Sequence, residues 1–194
     1  MKKLVALMLT LAMVLSCSLP ALAEETTSIA VCLASEPDTI DPALNSAVDG
    51  ATLIAHLFSG LATWAQKDDG TLEIVADCAT ELSEPVTNED GTVTYTYTLK
   101  DGLTWSDGKA LTASDFVFAW QRAAAPATGS DYGYMFEVVK GYAEMYETDA
   151  DGNFVNPDAK LAVEALDDKT LTVTLNNAVA YWNELLAFPT YMPV

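Results

Sequence analysis

The sequence is poor in histidine and cysteine, two side chains that often carry acid–base and nucleophilic chemistry. Its 194 residues include one histidine, His56, and three cysteines. A hydroxyl or thiol nucleophile usually needs a histidine base, and a lone histidine between Ala55 and Leu57 on a predicted helix is usually structural. The motifs G-x-S-x-G, H-E-x-x-H, G-x-x-x-x-G-K-[ST] and G-x-G-x-x-G do not occur in the sequence. These absences disfavour hydrolases and nucleotide-binding proteins of those types.

Basic residues are also scarce. Nine lysines and arginines face 28 aspartates and glutamates, which gives a formal net charge of −19. A surface of this charge repels phosphate backbones, so the composition argues against a nucleic-acid partner.

One acidic stretch partly matches a calcium-binding loop but lacks two of the residues that such a loop requires. Asp149, Asp151 and Asn153 match the first positions of a calcium-binding loop. Phe154 stands where that loop requires glycine, and Lys160 stands where it requires a glutamate. We therefore expect a solvated acidic loop, with no metal and no cofactor.

The first residues have the features of an export signal. Lys2 and Lys3 precede the apolar run Leu4–Leu15, which is too short for a stable membrane anchor, and Ala21-Leu22-Ala23 offers a cleavage site. We predict that residues 1–23 are a signal peptide and that the protein works outside the cytoplasmic membrane.

A second cleavage route competes with the first. Val14-Leu15-Ser16-Cys17 resembles a bacterial lipobox, in which Cys17 would become the lipidated first residue. The two routes predict different locations: a free periplasmic or cell-surface protein, or one lipid-anchored to the outer face of the cytoplasmic membrane. Beyond residue 23 only Cys32 and Cys78 remain, too few for a disulfide framework, and we expect two buried thiols.

Hydrophobic periodicity predicts short strands and helices separated by Asp-Gly turns. Predicted strands are Ser28–Ala34, Thr92–Leu99 and a hairpin over Leu161–Leu175; predicted helices are Asp49 to about Ser59, Ala113–Ala124 and Tyr181–Ala187. The fold class is therefore α/β in the mixed α+β sense, rich in antiparallel strands.

The aspartates of DGLTWSDGKALTASDFVFAWQR, residues 101–122, have structural explanations. Asp101 and Asp107 precede glycines in predicted turns. Thr112 and Asp115 have the spacing of a capping box at the start of a helix. This dense group of carboxylates therefore predicts scaffolding and not an active site.

The same region carries a family resemblance. TWSDGKALTASDFVFAWQRAAAP resembles the signature region of extracellular solute-binding proteins of family 5, the oligopeptide- and dipeptide-binding components of ABC importers. SEPDTIDPALNSA looks like the family's N-terminal strand and loop, and LIAHLFSGLATW is similar to its first helix and the strand after it. AVEALDDKTLTVTLNNAVAYWNELLAFPTYMPV resembles the segment that closes its small N-terminal domain. These blocks follow the family's order across most of residues 28–194.

The resemblance implies a periplasmic-binding-protein type II-like fold, present here only as its N-terminal portion. Residues 24–58 would open the first lobe, and residues 59–194 would form a nearly complete small domain. The rest of the first lobe and the opposing lobe would be absent, so the chain would be a truncated member of a two-lobed family.

The resemblance also implies where a ligand would lie. Asn45, Ser46, Ala47 and Val48 correspond to the stretch that runs along the bound peptide in oligopeptide-binding members. Ser46 stands where such a member has an acidic residue. Tyr132 matches a tyrosine that reaches the ligand from the small domain, and a phenol can pack against a peptide plane while its hydroxyl forms hydrogen bonds.

The function implied is therefore binding and not catalysis. We expect the substrate-binding component of an ABC transporter, a monomer that captures peptides outside the membrane and delivers them to an ABC permease. Two alternatives stay open: a secreted hydrolase that uses an Asp/Glu pair, and a folded domain with no independent activity.

Overall fold

A computed structural model describes residues 28–33 and 35–194 of the chain. The helices are α1 (Val48–Leu57), α2 (Ala113–Ala124), α3 (Tyr142–Met145) and α4 (Trp182–Leu186), with 3-10 turns at Pro126–Thr128, Gly133–Val138 and Pro189–Tyr191. The strands are β1 (Ala62–Gln66), β2 (Leu72–Ala76), β3 (Val86–Thr87), β4 (Val93–Thr98), β5 (Val163–Ala165) and β6 (Thr170–Leu175). Leu33–Val194 form one compact unit.

All strand pairs in the described residues are antiparallel. β1 and β2 form a ribbon, and the larger sheet has the order β3-β4-β6-β5. Tyr95 lies opposite Val173 and Tyr97 opposite Leu171, all four buried. The alternation predicted for residues 92–99 and 161–175 is therefore confirmed, because one side of this sheet faces the core and the other carries threonines.

Helix α2 packs on the sheet with the stripe that the sequence predicts. Phe116, Trp120 and Ala123 are buried. At its start, the Asp115 carboxylate accepts a hydrogen bond of 2.7 Å from the Thr112 backbone N–H. This contact confirms the predicted capping arrangement and fixes where the helix begins.

Indole hydrogen bonds hold the C-terminal segment in the core. Trp120 Nε1–H donates to the Tyr191 carbonyl at 2.8 Å, and the two rings meet edge to face with centroids 5.2 Å apart. Trp182 Nε1–H donates to the Tyr97 hydroxyl at 2.8 Å. These bonds satisfy buried donors and fix the turn Pro189–Tyr191 below α2.

Six aspartates repeat one local structure. In each, a side-chain oxygen accepts the backbone N–H two residues further on, at 2.8–3.0 Å. The aspartates are Asp41, Asp69, Asp90, Asp107, Asp149 and Asp167. A short carboxylate that bonds its own turn in this way explains why the acidic residues cluster in loops.

Two predictions near the start of the described chain are wrong. Ser28–Leu33 form no strand, and Ala34 lies outside the described residues. Cys32 is exposed, whereas Cys78 is buried as expected. The apolar alternation of the segment was a valid strand pattern, but a strand exists only where a neighbour accepts its backbone hydrogen bonds.

The first helix is confirmed and its cap is not. Helix α1 begins after Ala47, whereas Asp49 lies within its first turn and accepts a hydrogen bond from the Gly50 N–H at 2.8 Å. It ends at Leu57, since Phe58 is extended. An acidic residue in the first turn suits the helix dipole, which explains how the helix can start two residues earlier than predicted without a side-chain cap.

The predicted signal peptide of residues 1–23 and the lipidation candidate Cys17 lie outside the described residues. Within residues 28–33 and 35–194, every helix is too short or too polar to cross a membrane.

Candidate functional site

The structure brings all five residues predicted to contact a ligand into one cavity of about 210 Å³. Its lining consists of Asn45, Ser46, Ala47, Val48, Ala51, Tyr132, Phe188 and Pro189. Three separate parts of the chain therefore meet here: the loop before α1 with its first turn, the segment after α2, and the turn after α4.

The loop before α1 is held in shape by its own polar groups. The Asp41 carbonyl accepts the Asn45 N–H at 3.0 Å, and the Asp41 carboxylate accepts the Ala43 N–H at 3.0 Å. Asn45 is 7% exposed, and its Nδ2–H donates to the Ala47 carbonyl at 3.0 Å. Asn45 thus supports the cavity wall from inside, whereas Ser46 and Val48 face solvent.

Gly50 lets α1 approach this loop closely. A Cβ atom at position 50 would lie 2.0 Å from Asn45 Oδ1 and 2.6 Å from the Thr39 carbonyl oxygen. Both distances are far inside van der Waals contact, so only glycine fits without movement of the loop.

Arg122 connects the loop before α1 with the segment after α2. Its guanidinium makes two hydrogen bonds to the Asp41 carboxylate, at 2.9 and 2.5 Å, with both side chains less than a third exposed. The hydrogen bonds from Arg122 hold the pKa of the Asp41 carboxyl below its ordinary value. The Arg122 carbonyl accepts the Thr128 hydroxyl at 2.6 Å. One residue therefore fixes both the loop that leads to Asn45 and the segment that leads to Tyr132.

Tyr132 is oriented by aromatic contacts. Its ring meets Phe188 edge to face, with centroids 5.0 Å apart and planes at 71°, and Tyr134 lies 6.3 Å away. Tyr132 is partly exposed. A partly exposed tyrosine ring held by aromatic contacts is suited to packing against a ligand, and a tyrosine hydroxyl can form a hydrogen bond to it.

The lining of this cavity holds no carboxylate, ammonium or guanidinium group. The polar residues of its lining are Asn45, Ser46 and Tyr132. The arrangement can form neutral hydrogen bonds and apolar contacts, which is the chemistry of binding.

At least three larger cavities lie elsewhere in the described chain and contain none of the predicted residues. Their volumes are about 590 Å³ beside Lys140 and Lys160, about 380 Å³ beside Leu57 and Trp105, and about 330 Å³ beside Met145. Cavity size alone would therefore have pointed away from the residues that the sequence singles out.

None of the described aspartates whose pKa departs from the ordinary value is shifted upward. Every such carboxyl has a lowered pKa, and for Asp90 the value is about 2, because the Thr92 hydroxyl and backbone N–H and the Lys140 ammonium bond the carboxylate. A catalytic acid at neutral pH needs the opposite shift. No group of three or more His, Cys, Asp or Glu residues in the described part of the chain is placed to hold a metal.

Three lining residues were not predicted: Ala51, Phe188 and Pro189. Ala51 follows from α1, since it lies one helical turn after Ala47. Phe188 and Pro189 closely precede Tyr191, which is anchored beneath α2 by a contact across 71 residues that no local pattern signals.

Comparison with known proteins identifies the family. Residues 73–194 match the profile of the bacterial extracellular solute-binding proteins, family 5 Middle. The chain is 39% identical over 169 residues to the oligopeptide-binding protein OppA of Bacillus subtilis, covering 87% of this chain and 28% of that protein. It is 38% identical over 162 residues to a probable deoxycholate-binding periplasmic protein, YgiS, of Escherichia coli, covering 82% and 28%.

The fold agrees as well. The structure of Listeria monocytogenes OppA bound to peptide matches with a TM-score of 0.63 and 33% identity, covering 80% of this chain and 28% of that one. The chain thus spans a little over a quarter of the length of the relatives it matches. Since the family profile covers more than half of its residues, the chain belongs to the bacterial extracellular solute-binding proteins of family 5.

Proposed function

We propose that this chain belongs to the substrate-binding component of an ABC importer that captures peptides outside the cytoplasmic membrane and delivers them to a membrane permease. The observation that carries the proposal is the meeting of Asn45–Val48 with Tyr132 in one cavity. The relatives named for oligopeptide binding support the ligand class.

The proposed location follows the export signal. Residues 1–23 would direct the protein through the membrane, and cleavage before Cys17 would instead leave a lipid anchor on its outer face. We propose a monomer in either case. A [¹⁴C]palmitate label that disappears in a Cys17→Ser variant would establish the anchor, whereas a mature N-terminus at Glu24 would establish release.

Binding without catalysis is proposed for this site. A hydrolase that used an Asp/Glu pair would need one carboxyl with a raised pKa beside the ligand. The cavity lining contains neither residue type, and the aspartates described above are engaged in their own turns.

We propose further that residues 24–58 and residues 59–194 correspond to the opening of the first lobe and to the small domain. A ligand would then be enclosed fully only when an opposing lobe closes over it. A surface open on one side loses most of the contacts of a closed site, so the 194-residue chain alone should bind peptides weakly. Calorimetry at micromolar protein should detect no heat from tetra-alanine, and micromolar affinity would contradict the two-lobe arrangement.

Shift mapping by NMR can detect such weak binding. Millimolar tetra-alanine should move the ¹⁵N–H signals of Ser46, Ala47 and Val48. A Tyr132→Ala variant should lose these shifts, and a Tyr134→Ala variant should keep them, since Tyr134 is exposed and outside the lining. Shifts confined to other parts of the chain would refute the proposed site.

A further inference from the structure

We infer that this cavity receives an uncharged, apolar side chain of the ligand and discriminates against charged side chains. The inference rests on the proposed function, because it assigns a preference to the same site. It concerns which ligands the protein selects, which its family membership leaves open.

The size of the cavity limits what it can hold. Pockets for whole small-molecule ligands start at about 300 Å³. At about 210 Å³ this cavity is smaller. It therefore suits one side chain of a longer ligand, with the ligand's main chain running outside it.

The walls of the cavity are largely hydrocarbon. Ala47, Val48 and Ala51 line it from the start of α1, and Phe188 and Pro189 line it from the segment after α4. Val48 is 84% exposed, so no described part of the chain covers this aliphatic side chain. An apolar ligand group would remove this surface from water, which is favourable in proportion to the area buried.

Charged groups near the cavity in sequence do not line it. Asp49 follows Val48 directly, but its carboxylate is engaged by the Ser35 hydroxyl at 2.5 Å and the Gly50 N–H at 2.8 Å. Asp131 precedes Tyr132, is exposed and is not part of the lining.

Two effects compete for a cationic side chain. The net charge of −19 attracts cations toward the whole surface, but salt at 0.1 M screens that attraction beyond about 10 Å. Entry into the cavity strips water from the ammonium group, and no carboxylate in the lining replaces that water. We expect the cost of desolvation to exceed the screened attraction, so the cavity should reject lysine and glutamate side chains alike.

The test uses side chains that differ in charge and little in length. N-acetyl methylamides of norleucine, lysine and glutamate are titrated into the ¹⁵N-labelled 194-residue chain at 0.1 M salt, and the signals of Ala47, Val48 and Ala51 are followed. Norleucine should bind about tenfold more tightly than the lysine or glutamate probe, as expected for partial burial of an aliphatic side chain.

Two variants on α1 form a matched pair. Ala51→Asp places a carboxylate in the cavity wall, near the N-terminal end of α1, where the helix dipole favours a negative charge. This variant should abolish or reverse the preference for norleucine over lysine. Ala55→Asp places the same charge one turn further along, at an exposed position outside the lining, and should leave the preference unchanged. Circular dichroism of both variants checks that α1 is retained.

Different results would refute the side-chain preference and the proposed peptide binding. If tetra-alanine moves these signals but lysine binds as tightly as norleucine, the preference is refuted and the proposed function stands. If neither tetra-alanine nor any probe moves them, both are refuted. An equal effect of Ala51→Asp and Ala55→Asp would show that long-range charge, and not the cavity wall, sets the preference, and would also overturn the inference.

Discussion

The guanidinium of Arg122 donates two hydrogen bonds to the carboxylate of Asp41, at 2.9 and 2.5 Å, and the two residues are 81 positions apart in sequence. A bidentate pair of this kind fixes direction as well as distance. Because Asp41 shapes the loop that leads to Asn45 and Arg122 precedes the segment that leads to Tyr132, the pair sets how the two walls of the cavity face each other.

Removing this pair should cost stability. Asp41→Asn leaves the partly buried guanidinium without its charged partner, and we expect the free energy of unfolding to fall by about 1–3 kcal/mol. Glu73→Gln is the control, since Glu73 pairs with Lys67 at 3.0 Å on the surface with both side chains nearly half exposed. That change should cost less than about 1 kcal/mol. Urea denaturation measures both, and equal losses would show that the Asp41 pair is an ordinary surface contact.

The same pair predicts a dependence on pH. The pKa of Asp41 in the folded chain is lowered from 3.8, chiefly by the hydrogen bonds from Arg122. Its contribution to stability is therefore complete above pH 3.8 and is lost as the pH falls through the lowered pKa. Urea midpoints measured between pH 5 and pH 2 should fall for the parent chain, and less steeply for Asp41→Asn. Parallel curves would contradict this assignment.

The sequence predicts most of the fold because local patterns determine most of it. The alternation of Val93–Thr98 and the stripe of α2 each identify an element and its buried face. Ser28–Leu33 shows the limit, because a strand pattern cannot specify whether a partner is present. The site divides in the same way: Asn45–Val48 and Tyr132 came from a family pattern, whereas Phe188 depends on long-range packing.

Gly50 should be required for the loop geometry. In an ordinary helix, Gly→Ala stabilises by about 1 kcal/mol. Here the added Cβ would meet Asn45 and the Thr39 carbonyl at 2.0 and 2.6 Å, so we expect Gly50→Ala to lower the free energy of unfolding instead. The ¹⁵N–H signals of Asn45–Val48 should also shift. A more stable variant with unchanged signals would show that the loop moves freely.

The buried hydroxyl group of Tyr97 should contribute to stability. The Tyr97 hydroxyl accepts the Trp182 indole N–H in a fully buried position. Tyr97→Phe leaves that donor without a partner, and we expect a loss of about 1–3 kcal/mol in the free energy of unfolding. Tyr95→Phe is the control on the same strand, since the Tyr95 hydroxyl makes no hydrogen bond within the described residues. Equal effects of the two changes would mean that Trp182 is satisfied in another way.

The proposed function requires that a peptide occupies the cavity lined by Asn45–Val48 and Tyr132. The most direct measurement is photo-cross-linking of the 194-residue chain with an alanine peptide that carries one diazirine side chain, followed by mass spectrometry. Cross-links should map to residues 45–51, Tyr132 and residues 188–189, and should be displaced by excess tetra-alanine. Displaceable cross-links confined to the larger cavity at Lys140 and Lys160 would contradict the proposed site.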